Sequence, residues 1–582
     1  MYKIGKKWHS QLNEYKWIFL AFFVLTIVFL LLLTGFPAEH VDVFKYPITG
    51  GDSYYYLWNF WWFKKAIIEL HQTPFYTNYL FYPIGTSLYL STTMPILSII
   101  SVFLQSFLPL QFVFNSFIFL ALFSSAAGMF ILSVKITKNK YFSFFVGSIY
   151  GFSSFSLMHI LAGHTHLIFT FLFPLLVLFF LNWQETKNRR HLLICGAILS
   201  FTFYFSELFF IMMAVLLAEL IVAFWDRKQA IHYFSMMVFS LVLIFPLLIS
   251  ILTAAISGNT PTLGNISVQS IFSARPTDYF IFYPYSSLNL LLSKTGFNVK
   301  TYFENRPNVM HEIWTSPGII PLATFIFIAI YALRNKIANN DITRWGYVLA
   351  FNLILTFGPM IYIMDNFSIP SFYIIPLKIF PFLEFFRVPS RFYLLFLLTF
   401  CILLSKLFTI IPPKKNFGKN VMIFLTIAVF MLEYAPVGID NVRSDFSGRP
   451  FLMDLNYNFN LENADYAILD IPFKYQSDGT EYYLFSQYLQ TFHERPIVSG
   501  LISRTPESST LFIKNTLLTN IANNDFDINK QELQNFLIKN KIKYAIIHKL
   551  ALSDYFINKA EKMLDFAQTT YENEKFIIKK IY

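Results

Sequence analysis

The sequence predicts a polytopic α-helical membrane protein with about eleven transmembrane helices and a small C-terminal extracytoplasmic α/β domain. Three observations lead there. The 582 residues are 55% hydrophobic and only 14% charged, whereas an ordinary soluble domain carries roughly 25% charged residues. The apolar residues are gathered into long blocks such as Trp17 to Thr34, and about 18 or more of them in a row are enough to cross a bilayer. Beyond about residue 437 the blocks stop, and charged residues alternate with short apolar runs.

Spans are expected at about 17–34, 112–134, 141–157, 167–182, 192–206, 207–225, 233–256, 317–333, 345–364, 392–411 and 419–436. The Lys-rich start is followed by an apolar run without a small-residue cleavage site, which reads as an uncleaved first span and not a signal peptide. The run 94–108 is apolar but short, between Pro95 and Pro109. Basic clusters settle its part in the topology. Lys3, Lys6 and Lys7 precede the first span; Lys135, Lys138 and Lys140, then Lys187, Arg189 and Arg190, then Arg227 and Lys228, then Arg334, Lys336 and Arg344, and finally Lys414, Lys415 and Lys419 lie between later ones. If 94–108 does not cross, every cluster is cytoplasmic, as the positive-inside rule requires. The N-terminus is then inside and the tail outside. The net charge of +11 is thereby accounted for by topology, and no nucleic-acid partner is expected. Cys195 and Cys401 both sit in apolar runs and imply no disulfide framework.

Residues 1–436 form the expected membrane domain, with a long first outer loop at 35–111 and another outer loop at 257–316. Residues 437–582 form the expected α/β domain, with strands at 466–471, 544–547 and 576–581 and helices at 482–491, 531–540 and 553–567. Its length suffices for a core of its own.

This topology brings five polar segments to the outer side. The first loop holds Gly50-Gly51-Asp52-Ser53 and then an aromatic run from Tyr54 to Phe63, read as an interfacial helix capped by Asp52 or Ser53. Next come His159, His164 and His166 at the end of a span, Ser206-Glu207 in a tight turn, and the loop with Arg275, Asp278, Glu304, Arg306, His311 and Glu312. The last is Phe382-Leu383-Glu384-Phe385-Phe386-Arg387-Val388-Pro389-Ser390-Arg391. Asp52 is the candidate catalytic residue, either as a general base or as a metal-linked carboxylate; a helix cap is the plainer alternative. His164 and His166 are candidate ligands for a divalent metal ion, because imidazole and carboxylate donors together suit several such ions; histidines bonded to backbone or water are the alternative. Arg387 and Arg391 are candidates for binding a phosphate, since a guanidinium fork grips oxygens bidentately; pairing with Glu384 is the alternative. Tyr54, Glu207, Glu312 and Glu384 are further pocket candidates. Nucleotide-binding glycine loops and the common hydrolase and zinc motifs are absent.

An acidic residue in the first outer loop (Asp52), a second outer motif after the third span (Gly163-His164-Thr165-His166), a long later outer loop and an outer tail together resemble the GT-C superfamily of membrane glycosyltransferases. That superfamily includes the oligosaccharyltransferases, the protein O-mannosyltransferases and the aminoarabinose transferase of lipid A. Gly51-Asp52, Phe81-Tyr82-Pro83-Ile84-Gly85 and Arg387-Val388-Pro389-Ser390-Arg391-Phe392 also resemble bacterial membrane proteins related to it. The resemblance implies a polyprenyl-phosphate-linked sugar as donor, a glycan, lipid or protein acceptor, and a plasma-membrane location with the site facing outward. Two departures stand out: histidines replace the acidic residues of the oligosaccharyltransferase second motif, and the tail lacks their Trp-Trp-Asp signature. A transporter or flippase for a lipid-linked saccharide, and a non-catalytic scaffold for envelope assembly, remain alternatives.

Overall fold

The computed structural model describes the chain except residues 1, 34–50, 257–265, 282–285, 297–298, 300–301, 303–311, 338, 365–366, 380–385, 412–417, 437–464, 473–480, 504 and 550–551. The chain divides into two compact units: one comprises Met1–Val41, Asn115–Phe245 and Leu263–Arg443, and the other Asp42–Phe114, Pro246–Thr262 and Ser444–Tyr582. Residues 42–114 therefore group with the tail.

The first unit is helical. Among the described residues six helices in the chain are long and apolar enough to span a membrane: Glu14–Leu33, Leu110–Thr137, Lys140–Leu161, Thr165–Thr186, Arg227–Thr253 and Pro389–Phe408. Other expected spans are helices too, but shorter: Arg189–Phe203, Glu207–Ala223, Ile319–Arg334 and Asn340–Thr356 have 15, 17, 16 and 17 residues. Side chains such as Phe142 and Phe408, whose rings stack at 3.8 Å, fasten these helices together. At Gly151 an added Cβ would meet the Ala126 Cβ at 2.5 Å. The two helix backbones meet there because neither carries a large side chain, a device common where lipid removes the hydrophobic drive for helix association.

In the second unit, helix α1 (Ser53–Lys64) carries the aromatic run. The expectation of an interfacial helix is not met: every residue from Ser53 to Phe63 is buried. Helix α2 (Pro95–Leu104) covers one side of it and helix α3 (Glu481–His493), from the tail, another. The ring of Tyr54 stacks on Tyr488 at 4.9 Å. Trp58 donates from Nε1 to Oε1 of Gln490 at 2.6 Å, and Gln490 donates from Nε2 to the carbonyls of Tyr79 and Arg495 at 2.7 Å each. Helix α2 has ten residues and rises about 15 Å, half of a hydrocarbon core of roughly 30 Å.

The tail contains a four-stranded sheet. Strands β1 (Ala467–Ile471), β2 (Ile542–His548), β3 (Gln568–Glu572) and β4 (Phe576–Lys580) are ordered β1-β2-β4-β3. The β1/β2 pair is parallel and the other two pairs are antiparallel. Leu469, Ile471, Ala545, Ile547 and Ile577 face one apolar core with Leu533 and Leu537.

Gln490 supports three partners at once. Gln490→Leu is expected to lower the stability of this unit by about 2–4 kcal/mol, because the Trp58 N–H and two carbonyls lose buried partners. Thermal unfolding of the purified protein in detergent, with Tyr54 to Phe63 fluorescence as the readout, checks it; an unchanged midpoint counts against the packing described.

Candidate functional site

The histidine motif is built by a helix ending. Ser153 caps the helix Ser154–Leu161 by accepting from the Ser156 N–H. At the far end Gly163 takes φ +76°, a left-handed conformation that suits glycine. The Gly163 N–H bonds to the Ile160 carbonyl at 3.0 Å and the His164 N–H to the His159 carbonyl at 2.7 Å, the paired bonds of a Schellman turn. This reversal carries His164 back beside His159, with 3.0 Å between their Nδ1 atoms. One of these nitrogens donates and the other accepts.

Glu312 completes the cluster. Its side chain is 2% exposed, and Oε1 lies 3.5 Å from Nδ1 of His164. Arg391 donates from Nε to Oε2 at 3.0 Å and from Nη2 to Oε1, a bidentate pair. Burial alone would raise the Glu312 carboxyl, but the Arg391 charge and hydrogen bonds, followed by His159 and His164, hold it well below the usual carboxylate range. It is therefore anionic at neutral pH. Arg391 lies on the 3-10 turn Pro389–Phe392 that leads into the helix Tyr393–Phe408.

His159, His164 and Glu312 offer three donor atoms within 4.8 Å of one another, a possible metal-binding set of imidazole and carboxylate type. Both Glu312 oxygens already accept from Arg391. A cation held there would use the remaining lone pairs of the carboxylate and sit beside the Arg391 guanidinium.

The other expected site residues belong to other elements. His166 lies on the short 3-10 helix Thr165–Leu167, its ring 6.1 Å from that of His164; the donor trio contains His159 in its place. Arg387 is exposed and belongs to the segment before the turn, so the two arginines do not share a helical face. Glu207 is half-buried in the first turn of the helix that Ser206 caps. Glu384 lies outside the described residues. Asp52 and Tyr54 belong to the second unit. Asp52 occupies the N-cap position of α1, and its side chain makes no capping bond there. The Tyr54 ring is committed to packing on Tyr488 and Phe485.

Glu312 and Arg391 are separated by 79 positions, and no local signal in the sequence joins them. His159 had a signal: it stands three residues before the Ala162-Gly163 helix ending.

Glu312→Gln leaves the Arg391 guanidinium without its anion and is expected to cost about 3–5 kcal/mol. The wild-type pair should also weaken in acid. Because the folded-state value is depressed, its contribution is present above the unfolded carboxylate range near about pH 4.3 and is lost as pH falls through the folded value. Unfolding midpoints of wild type and variant across an acid series check both statements; parallel profiles would contradict them.

No protein-family model and no curated relative matches the sequence. Solved structures do match. A mutant form of the arabinofuranosyltransferase AftD from Mycobacteria superimposes with a TM-score of 0.52 at 12% identity, covering 97% of this chain and 41% of that one. ArnT from Cupriavidus metallidurans, bound to undecaprenyl phosphate, matches at 0.43 and 10% identity over 98% of each chain. The Archaeoglobus fulgidus oligosaccharyltransferase AglB, in complex with an inhibitory peptide and a dolichol-phosphate, matches at 0.42 and 11% identity over 92% of this chain and 70% of that one. This chain spans about two-fifths of the length of AftD. At such identities the likeness is one of architecture: this chain shares the fold of the AftD structures.

Proposed function

We propose that this chain is a multi-pass membrane glycosyltransferase that moves a sugar from a polyprenyl-phosphate carrier to a cell-envelope acceptor on the extracytoplasmic side. The observation that carries the proposal is the buried Glu312–Arg391 pair with His159 and His164, set in a fold shared with an arabinofuranosyltransferase over 97% of the chain. A buried ion pair costs desolvation and is weak as a stability device; its value here is to fix the direction of a guanidinium.

In the proposed reaction Asp52 accepts the proton of an acceptor hydroxyl while its oxygen attacks the anomeric carbon. The bond from that carbon to the phosphate oxygen breaks, and polyprenyl phosphate leaves with the electron pair. Arg391, oriented by Glu312, and Arg387 neutralise the phosphate charge. The donor lipid is a substrate, and its acceptor is a glycan, lipid or protein. The proposed topology has eleven spans, the N-terminus inside, and the site and the tail outside. The short helix α2 supports it, being too short to add a twelfth crossing.

General-base assistance is worth about 10²–10⁴-fold. Asp52→Asn should reduce transfer from a polyprenyl-phosphate sugar by that factor while expression, membrane insertion and unfolding midpoint stay at wild-type levels. Near-normal transfer would sink the assignment of Asp52. The topology has its own test. Reporter fusions after Lys140, Arg190 and Arg344 should read cytoplasmic, and a fusion at Tyr582 should read extracytoplasmic. Reporters at Lys140 and Tyr582 on the same side would dissolve the proposed outer site.

A further inference from the structure

A second feature of the helical unit lies beside the charged cluster. A cavity of about 700 Å³ runs between the helices Glu207–Ala223 and Asn340–Thr356. Phe210 lines one end with Leu355, Tyr373 and Phe392. Ala223 and Arg344 line the other end, where the Phe224 ring packs at 5.8 Å from Trp345 and lies under the Arg344 guanidinium at 5.5 Å. Thirteen residues separate Phe210 from Ala223, a length of about 20 Å at 1.5 Å per residue. That is about two-thirds of a hydrocarbon core roughly 30 Å thick. Ile211, Val215, Val222, Val348 and Phe351 make the walls apolar.

Its polar groups are few and incompletely satisfied. Glu219 accepts from Nδ2 of Asn352, outside the groove, at 2.9 Å through Oε2, while Glu219 Oε1 and the Tyr373 hydroxyl are buried without partners among the described residues. Arg344 is exposed and pairs with no carboxylate among the described residues. At the opposite end Arg391, next to Phe392, is engaged by Glu312. The available cation is therefore at the Arg344 end, the end that the basic clusters of the sequence assign to the cytoplasmic side.

We propose that this groove binds an anionic phospholipid, with its phosphate on Arg344 and an acyl chain laid along the two helices toward Phe210. The groove is lined almost wholly by apolar side chains, which suits an acyl chain as its occupant. The unpaired guanidinium selects an anionic headgroup, by the attraction that draws anionic lipids to basic residues beside a span. The orphaned oxygen of Glu219 lies one helical turn above Ala223, at the depth of the ester and glycerol groups.

Delipidated full-length protein in detergent is titrated with phosphatidylglycerol and with phosphatidylcholine of identical chains, and bound lipid is counted by native mass spectrometry. Phosphatidylglycerol should bind at least about five-fold more tightly, the equivalent of one headgroup contact with a basic residue. Arg344→Ala should bring phosphatidylglycerol down to the level of phosphatidylcholine without changing the latter. Ala218→Trp, which fills the groove, should abolish retention of both; Val222→Trp replaces it if that variant does not fold. Equal affinity for the two lipids, an undiminished preference in Arg344→Ala, or full occupancy in the filled variant would each overturn the proposal. So would undecaprenyl phosphate displacing phosphatidylglycerol with an affinity indifferent to Arg344→Ala, which would make the groove a site for a polyprenyl chain.

Discussion

The Glu312–Arg391 pair is the contact on which the helical unit's polar chemistry depends. Two charges taken out of water lose more in desolvation than their attraction restores unless the geometry is good. Here it is good, with two parallel bonds from one guanidinium to one carboxylate. The pair ties the segment before Ile319–Arg334 to the turn before Tyr393–Phe408. It also resolves a conflict at that turn: an arginine at the start of a helix opposes the positive end of the helix dipole, and the Glu312 carboxylate offsets both charges. His164 approaches the same carboxylate oxygen, so the histidine turn is oriented by the pair as well. Removing either partner would leave the other charge buried and would free the direction of both imidazoles.

Much of the helical layout was legible because it rests on local composition. Blocks of apolar residues are long where the structure has its six span-length helices. The tail was legible for a similar reason. Strands expected at 466–471, 544–547 and 576–581 correspond to Ala467–Ile471, Ile542–His548 and Phe576–Lys580, mostly apolar and largely buried. The strand Gln568–Glu572 was not read. It is exposed and polar, and it exists because it pairs with its neighbour at the sheet edge, a long-range cause with no local pattern.

The site was less legible, for physical reasons that differ from residue to residue. His164 and His166 are close in sequence and suggested a ligand pair, yet a Schellman turn brings His159 to His164 instead. The aromatic helix suggested the bilayer interface because tyrosine and tryptophan concentrate there. What overrode that preference was a partner from the far end of the chain: Tyr488 and Gln490 give Tyr54 and Trp58 a buried stack and a buried acceptor. Composition states that such a run seeks an apolar surface with a few polar contacts, but it does not say whether lipid or protein supplies them. Asp52 was read as a cap or a catalyst. The structure removes the capping bond from that choice and leaves the catalytic role to experiment.

The turn Pro389–Phe392 shows how one short element serves two environments. A 3-10 turn advances about 120° per residue, so adjacent side chains on it diverge. Arg391 points its guanidinium at Glu312, while Phe392, the next residue, is buried and lines the end of the apolar groove. Pro389 supports this by fixing φ at the first position and needing no partner for a missing N–H. A shift in the groove that moved Phe392 would have to rotate the same turn, and Arg391 resists such rotation because its two bonds to Glu312 would break together. The charged cluster and the apolar groove thus share one rigid joint. Any lipid held along the groove bears on the orientation of Arg391 through a single peptide unit.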